Sequence, residues 1–155
     1  MKRFLTLTLA LLMVAVLLTG CGGTKEYTCQ NLTMTVPDFL EDASDEPEFS
    51  KFTFTLDSSK IAVFGTREEL KANAADLDAY TKLVIIANDY AEDAFKNEGN
   101  YMLHEYTKAV DGEDYNYMIG LYDGGDAYWM IQVGGPTDKF DRDQAIDILN
   151  SVKFS

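Results

Sequence analysis

Cysteine and histidine, on which thiol and imidazole catalysis and most zinc sites depend, are scarce in this chain of 155 residues. It contains 2 cysteines and 1 histidine. Cys21 and Cys29 form no Cys-x-x-Cys pair, so the spacing of a zinc site is absent. A serine or cysteine nucleophile would have only His104 as an imidazole base. We therefore expect no enzyme activity and no cofactor, and we interpret His104 as a structural residue of a strand.

Positive charge is also in short supply. The chain has 13 lysines and arginines against 26 aspartates and glutamates, which gives a formal net charge of −13. A surface of this sign repels phosphate groups, so we expect no nucleic-acid partner. The same acidity is also typical of a secreted protein that has to stay in solution, and it then has no more specific role.

The long apolar run of the chain lies near its N-terminus, from Phe4 to Leu18. It is short for a membrane-crossing helix, which needs about 20 apolar residues. Two basic residues precede it, and it ends in Leu18-Thr19-Gly20-Cys21, which resembles a bacterial lipoprotein signal. The resemblance implies that residues 1–20 are removed, that Cys21 carries the lipid, and that the protein faces outward from the cell membrane. An uncleaved membrane anchor is the alternative.

After Cys21, the sequence predicts a short linker over residues 21–26 and a single domain over residues 27–155. A domain of this length can bury a substantial core. Two acyl chains on one cysteine hold a protein at a membrane without a second signal. Cys29 would have no cysteine partner once Cys21 is lipidated, and we interpret it as a small buried residue.

Alternation of apolar and polar residues, together with turn-forming residues, predicts six strands. They are Leu32–Val36, Phe49–Asp57, Lys60–Phe64, Tyr101–Val110, Tyr115–Tyr122 and Ala127–Val133. We expect the second and third strands to form a hairpin through Ser58-Ser59, with residues 41–47 as a loop before it. The last three are connected by Asp-Gly turns and predict an antiparallel meander that ends at Gly134-Gly135-Pro136.

Capping residues predict three helices. Thr66 and Glu69 have the spacing of a capping box at the start of the first helix. Asp76 is the expected cap of a second, amphipathic helix whose apolar stripe runs from Leu77 to Phe95. Asp141, with glutamine three residues later, is the expected cap of the last helix.

Two motifs in this order of elements resemble Mog1/PsbP-like domains. Thr35-Val36-Pro37-Asp38-Phe39 is similar to the strand, proline and aromatic residue with which that family begins. The strand Tyr128–Val133 and the segment Ala145–Phe154 look like its closing strand and helix. The resemblance covers Tyr27 to Ser155 and implies an α+β fold, in which an antiparallel sheet is flanked by helices in an α/β/α sandwich. It also implies a binding or assembly role, because most members of the family have one.

Aromatic residues provide the candidate binding site. Rings with a polar tip are well suited to recognition surfaces, and several lie in the predicted strands. They are Tyr115, Tyr117, Tyr122, Tyr128 and Trp129. The alternative is that these rings line the sheet beneath the helices. We interpret the chain as a non-catalytic binding or assembly module of the cell envelope, with an unknown protein or glycan as its partner.

Two further functions stay open. The acidic segments Asp111–Asp114, Asp123–Asp126 and Asp138–Asp143 offer oxygen ligands for calcium, although none has the spacing of an EF-hand. They are equally typical of hairpin turns and a helix cap, so we assign no metal ligands. A small envelope hydrolase would need a catalytic group that the sequence motifs do not provide.

Overall fold

A large antiparallel sheet lies at the centre of the computed structural model, which describes residues 23–42, 51–55, 62–68 and 74–155. Its strands are β3 (Glu41–Asp42), β4 (Lys51–Thr55), β5 (Ala62–Glu68), β6 (Lys96–Asn97), β7 (Met102–Val110), β8 (Glu113–Asp123) and β9 (Tyr128–Pro136). The strand order is β3-β4-β5-β9-β8-β7-β6. The two outermost strands are two residues long, so most of the sheet consists of the five strands between them.

A smaller antiparallel sheet and two helices complete the described part of the chain. The small sheet contains β1 (Thr24–Cys29), β2 (Leu32–Pro37) and β10 (Lys153–Phe154), in the order β1-β2-β10. The helices are α1 (Leu77–Asn88) and α2 (Arg142–Asn150). The last strand therefore returns the C-terminus to the beginning of the domain.

The two faces of the large sheet carry separate hydrophobic cores. Side chains alternate between the faces of a strand, so neighbouring residues of β9 enter different cores. Trp129, with Ile131 and Val133, packs with the small sheet and α2, and we call this side the α2 face. Tyr128 packs with Tyr80 and Val84 of α1 on the opposite side, the α1 face. The predicted α+β fold, an antiparallel sheet flanked by helices, is confirmed.

Local sequence signals explain the helix starts and the tightest hairpin. Asp76 accepts a hydrogen bond from the Ala79 N–H at 2.8 Å, as its predicted capping role requires. Asp141 accepts one from the Gln144 N–H at 3.0 Å. At the β7–β8 turn, Asp111 and Gly112 have φ values of 52° and 88°, the two positive values that a type I′ turn needs. The caps and the meander are confirmed.

The prediction of a helix that begins at Thr66 is wrong for the residues that the structure describes. Thr66 and Arg67 instead continue β5, in register with Met130 and Trp129 of β9. A capping box satisfies two backbone N–H groups, whereas the strand pairing satisfies a longer ladder and buries the neighbouring Gly65. Residues 69–73 lie outside the described part of the chain.

The second predicted helix and the meander both end elsewhere than expected. α1 stops at Asn88 because Asp89 adopts the left-handed conformation, with φ 55° and ψ 39°. Phe95 therefore lies beyond the helix, although its ring still packs in the core of the α1 face. In the meander, β9 continues through Pro136, and Gly134 and Gly135 are part of the strand.

Two smaller corrections concern the beginning of the domain. Thr24–Glu26 were predicted as linker but pair with β2 as the first half of β1. Glu41–Asp42 were predicted as loop but pair with β4. Cys29 is buried, at 2% exposure, as expected. The signal segment 1–20, the lipidation residue Cys21, residues 43–47 and the Ser58-Ser59 turn lie outside the described residues.

Candidate functional site

Six rings form a continuous series on the α1 face, which we call the aromatic row. Its members, in spatial order, are Phe95, Tyr90, His104, Tyr106, Tyr117 and Tyr115. The His104 and Tyr106 rings stack with centroids 5.1 Å apart, and so do Tyr106 and Tyr117. The Tyr115 and Tyr117 centroids are 6.3 Å apart. These separations lie in the range of favourable aromatic pairs.

The β7–β8 register explains how the rings come together. Tyr106 is directly opposite Tyr117, and Lys108 is opposite Tyr115. Residues opposite each other in an antiparallel pair point to the same face, so the two strands present their aromatic residues side by side. The two-residue turn at Asp111-Gly112 fixes this register, because a slip by one residue would send the rings to opposite faces.

Helix α1 covers one end of this face. Its Tyr80 stacks on Tyr128 of the sheet, with centroids 4.6 Å apart and ring planes 7° from parallel. Tyr106 packs against the edge of that core, whereas Tyr115 and Tyr117 lie beyond it and are half-buried. The aromatic row therefore runs from a closed core to a surface that solvent reaches.

Gly134 leaves room for the exposed end of the row. A Cβ atom at Gly134 would lie 2.4 Å from Cδ1 of Tyr117, far closer than two carbon atoms can approach. Gly134 pairs with Tyr117 across β8 and β9, so the Tyr117 ring lies against the bare backbone of its neighbour. Gly134 thus has a packing role within β9.

The electrostatics of the row favour neutral rings. Burial raises the pKa of Tyr117, and burial together with the neighbouring Tyr90 raises that of Tyr106 well above its usual range. Burial lowers the pKa of His104, and its Nδ1 is 3.0 Å from the Ala94 carbonyl oxygen. At neutral pH the row offers uncharged ring faces and phenol hydroxyls, a surface for contact and hydrogen bonding.

The five predicted site residues separate into two groups. Tyr122, Tyr128 and Trp129 are 2%, 1% and 0% exposed, so these rings line the sheet, as the alternative interpretation states. Their side chains belong to the cores and are corrected from surface candidates to packing residues. Tyr115 and Tyr117 are half-buried neighbours at the solvent end of the row. The structure therefore restricts the candidate site to these two and adds Tyr106.

Sequence reasoning missed Tyr90, Phe95 and Tyr106 as members of the row. The signal for Tyr106 was present, because the turn at Asp111-Gly112 determines which residue of β7 faces Tyr117. Tyr90 and Phe95 follow α1 in an irregular segment, and no periodicity could place their rings beside His104. Their positions depend on where α1 stops.

The acidic loops have other structural roles where the structure describes them. Asp126 accepts a hydrogen bond from Arg67 Nη2 at 2.7 Å, and this bond lowers the pKa of its carboxyl group. Asp123 accepts one from the Gly125 N–H at 2.9 Å, and Asp141 caps α2. Over residues 23–42, 51–55, 62–68 and 74–155, no group of three histidine, cysteine, aspartate or glutamate side chains is placed to hold a metal ion.

Comparisons with known proteins bear on the fold. No protein-family model matches the chain. No curated protein matches it either. A crystal structure of a Bacteroides thetaiotaomicron protein superposes with a TM-score of 0.62 at 12% sequence identity. The match covers 84% of this chain and 48% of that protein, so this chain spans about half of its length. At this identity the likeness concerns the fold alone.

Among the described residues, no helix is both long and apolar enough to cross a membrane. The apolar run from Phe4 to Leu18 is outside the part of the chain to which this finding applies.

Proposed function

We propose that this protein is a lipoprotein, anchored through Cys21 to the outer side of the cell membrane, and that it is a non-catalytic binding or assembly module of the cell envelope. The support for the anchor is the Leu18-Thr19-Gly20-Cys21 motif after a basic and apolar signal segment. The resemblance of the domain from Tyr27 to Ser155 to Mog1/PsbP-like domains supports a binding role. The partner is an unknown protein or glycan of the envelope.

The observation that carries the binding role is the exposed end of the aromatic row. Tyr106, Tyr117 and Tyr115 present three adjacent, half-buried rings on a rigid sheet. Tyrosine gives a large contact area at a low cost in conformational entropy, and strand positions keep the rings in place before a partner arrives. The partner would lie across β7 and β8 beyond the end of α1.

The environment of His104 supports a role without catalysis. Tyr90 and Phe95 pack against its ring, with centroids 4.6 and 5.1 Å away. The Ala94 carbonyl oxygen lies within hydrogen-bond distance of its Nδ1. A general base has to reach a substrate proton, and these contacts surround the imidazole instead.

Incorporation of labelled palmitate into cells tests the anchor. We expect label in the wild-type chain and none in a Cys21→Ser variant, which keeps the apolar segment but lacks the acceptor sulfur. Absence of label from the wild-type chain would contradict lipidation and would favour the uncleaved anchor.

Site-specific photocrosslinking in intact cells tests the binding surface. A benzophenone amino acid at Lys108, opposite Tyr115, should capture one partner, and the same group at Asp147 on α2 is the control. The capture should be lost in a Gly134→Ala background, because the new methyl group forces the Tyr117 ring to move. Equal capture from both positions, or capture unaffected by Gly134→Ala, would contradict the surface.

A further inference from the structure

A small polar pocket lies on the α2 face of the two strands that carry the aromatic row. Its lining comprises Glu105, Thr107, Asn116, Met118, Phe140 and Arg142, together with Tyr106 and Tyr117, whose rings belong to the aromatic row. Its volume is about 290 Å³, which is at the lower end of the range for small-molecule sites. The pocket thus has the size of a single small ring rather than of a peptide. The proposed function makes no use of it.

Secondary structure brings these side chains together. Glu105 and Thr107 lie two residues apart on the same face of β7. Met118 and Asn116 lie directly opposite them on β8. Gly135 pairs with Asn116 on the next strand and brings no side chain to this face.

The first turn of α2 contributes the other wall of the pocket. Phe140 precedes the cap residue Asp141, and Arg142 is the first residue of α2. The start of the helix therefore positions both side chains.

Hydrogen bonds hold the polar groups of the pocket in fixed orientations. Arg142 donates from Nε and Nη2 to the two oxygens of Glu105, at 2.9 and 2.7 Å, a bidentate arrangement. Oδ1 of Asn116 accepts from the hydroxyls of Thr107 and Thr137, at 2.8 and 3.3 Å. Because its oxygen is occupied in this way, Asn116 presents its amide NH₂ group as the donor.

The charge of the pocket selects against charged ligands. The Arg142 guanidinium holds the pKa of Glu105 below its ordinary value, so both groups are ionised and their charges cancel at neutral pH. An anion would enter against the net charge of −13 of the chain, and a cation would find both oxygens of Glu105 already bonded to Arg142. What remains is a neutral molecule that both donates and accepts hydrogen bonds.

The apolar groups narrow the chemistry further. Met118 is buried, at 1% exposure, and Phe140 is half-buried and packs on the core of the α2 face. A ligand that fits has a C–H face for these groups and hydroxyls around its edge for Glu105 and Asn116. We propose that this pocket binds one ring of a neutral sugar, with the C–H face toward Phe140 and adjacent hydroxyls on Asn116 and the Glu105–Arg142 pair.

Titration of the isotope-labelled full chain in detergent micelles tests this assignment by NMR. The probes are methyl glycosides of neutral hexoses and of N-acetylhexosamines, and short neutral oligosaccharides distinguish a free sugar from a chain end. We expect binding in the millimolar range, with shifts centred on Thr107, Asn116 and Phe140. Glucuronate and glucosamine, which are charged, should bind more weakly.

Matched variants locate the binding. Asn116→Asp keeps the shape of the side chain but replaces its donors with an acceptor, and we expect about tenfold weaker binding. Tyr115→Phe, on the opposite face of β8, should bind as the wild type does. No binding of any neutral sugar, shifts centred on the members of the aromatic row that do not line the pocket, or unchanged affinity in Asn116→Asp would each overturn the assignment. None of these outcomes depends on the crosslinking result for the aromatic row.

Discussion

The two faces of the large sheet differ in how completely they are covered. On the α2 face, a second sheet and a helix enclose Trp129 and Ile131, both fully buried. On the α1 face, a single helix of 12 residues covers one end, and Tyr115 and Tyr117 lie outside the core beneath it. One strand, β9, supplies residues to both faces, so the difference reflects what packs above the sheet rather than the sheet itself.

Hydrogen bonds strengthen this contrast. On the α2 face the Tyr122 hydroxyl donates to the Leu149 carbonyl at 2.9 Å, and the Tyr101 hydroxyl donates to Asn150 at 3.2 Å. Both bonds join the sheet to the end of α2. A buried hydroxyl needs such a partner, whereas a half-exposed phenol can use water. The enclosed face is therefore the more rigid of the two.

The largest expected effect tests the enclosed face. Trp129→Ala removes a ring of 0% exposure, and we expect a loss of about 3–5 kcal/mol in the free energy of unfolding, since a large cavity remains. Urea unfolding followed by circular dichroism measures it. Tyr115→Ala, at the open end of the row, is the control, with an expected loss below about 1 kcal/mol. Equal losses for the two variants would contradict the comparison.

Much of the fold was predictable because its signals are local. Asp76 and Asp141 mark the starts of α1 and α2. Asp111-Gly112 determines both the turn between β7 and β8 and the register of these two strands. Alternation along Tyr128 and Trp129 indicates that neighbouring residues enter different layers, which the structure confirms.

The remainder depends on contacts between residues distant in the sequence. Thr66 has the local chemistry of a helix cap, but pairing with Met130 makes it part of a strand. Phe95 continues the spacing of a helical stripe by coincidence, because Asp89 ends the helix earlier. The aromatic row depends on this early end of the helix, since Tyr90 and Phe95 reach His104 from an irregular segment. At the half-exposed end of the row, the two tyrosines of β8 were predicted as site residues, and the turn at Asp111-Gly112 could also have located Tyr106.

A smaller effect tests the hydrogen bonds of the enclosed face. Tyr122→Phe keeps the buried ring but removes its bond to Leu149, and we expect a loss of about 1 kcal/mol in the free energy of unfolding. The loss stays modest because the Val152 N–H also donates to the Leu149 carbonyl, at 3.3 Å. Tyr117→Phe is the matched control on the open face and should change stability by less than about 0.5 kcal/mol. The reverse order of the two losses would contradict the assignment.

The next prediction concerns the open face and pH. Burial lowers the pKa of His104 below its ordinary value of 6.5, so the folded chain binds fewer protons than the unfolded chain. The contribution of neutral His104 is fully present above pH 6.5 and declines as the pH falls toward the lowered folded value. Burial raises the pKa of neighbouring Tyr106, which therefore stays neutral throughout this range. We expect a decrease in Tm that His104→Gln abolishes, and a Tm decrease of the same size in this variant would contradict the prediction.

The smallest expected effect concerns Glu105, the next residue of β7, which points to the α2 face. Its hydrogen bond with Arg142 lowers the pKa of Glu105 from the ordinary 4.5, so the stabilisation is present above that pH and is lost as the pH falls through the folded value. Glu105 and Arg142 are 40% and 57% exposed, so Arg142→Gln should cost at most about 1 kcal/mol at neutral pH. Urea unfolding at neutral and acidic pH measures it, and the cost should shrink in high salt. If the cost of Arg142→Gln persists at acidic pH, Arg142 stabilises α2 through packing of its alkyl chain rather than through its charge. The ion pair with Glu105 would then contribute nothing to the stability of the α2 face.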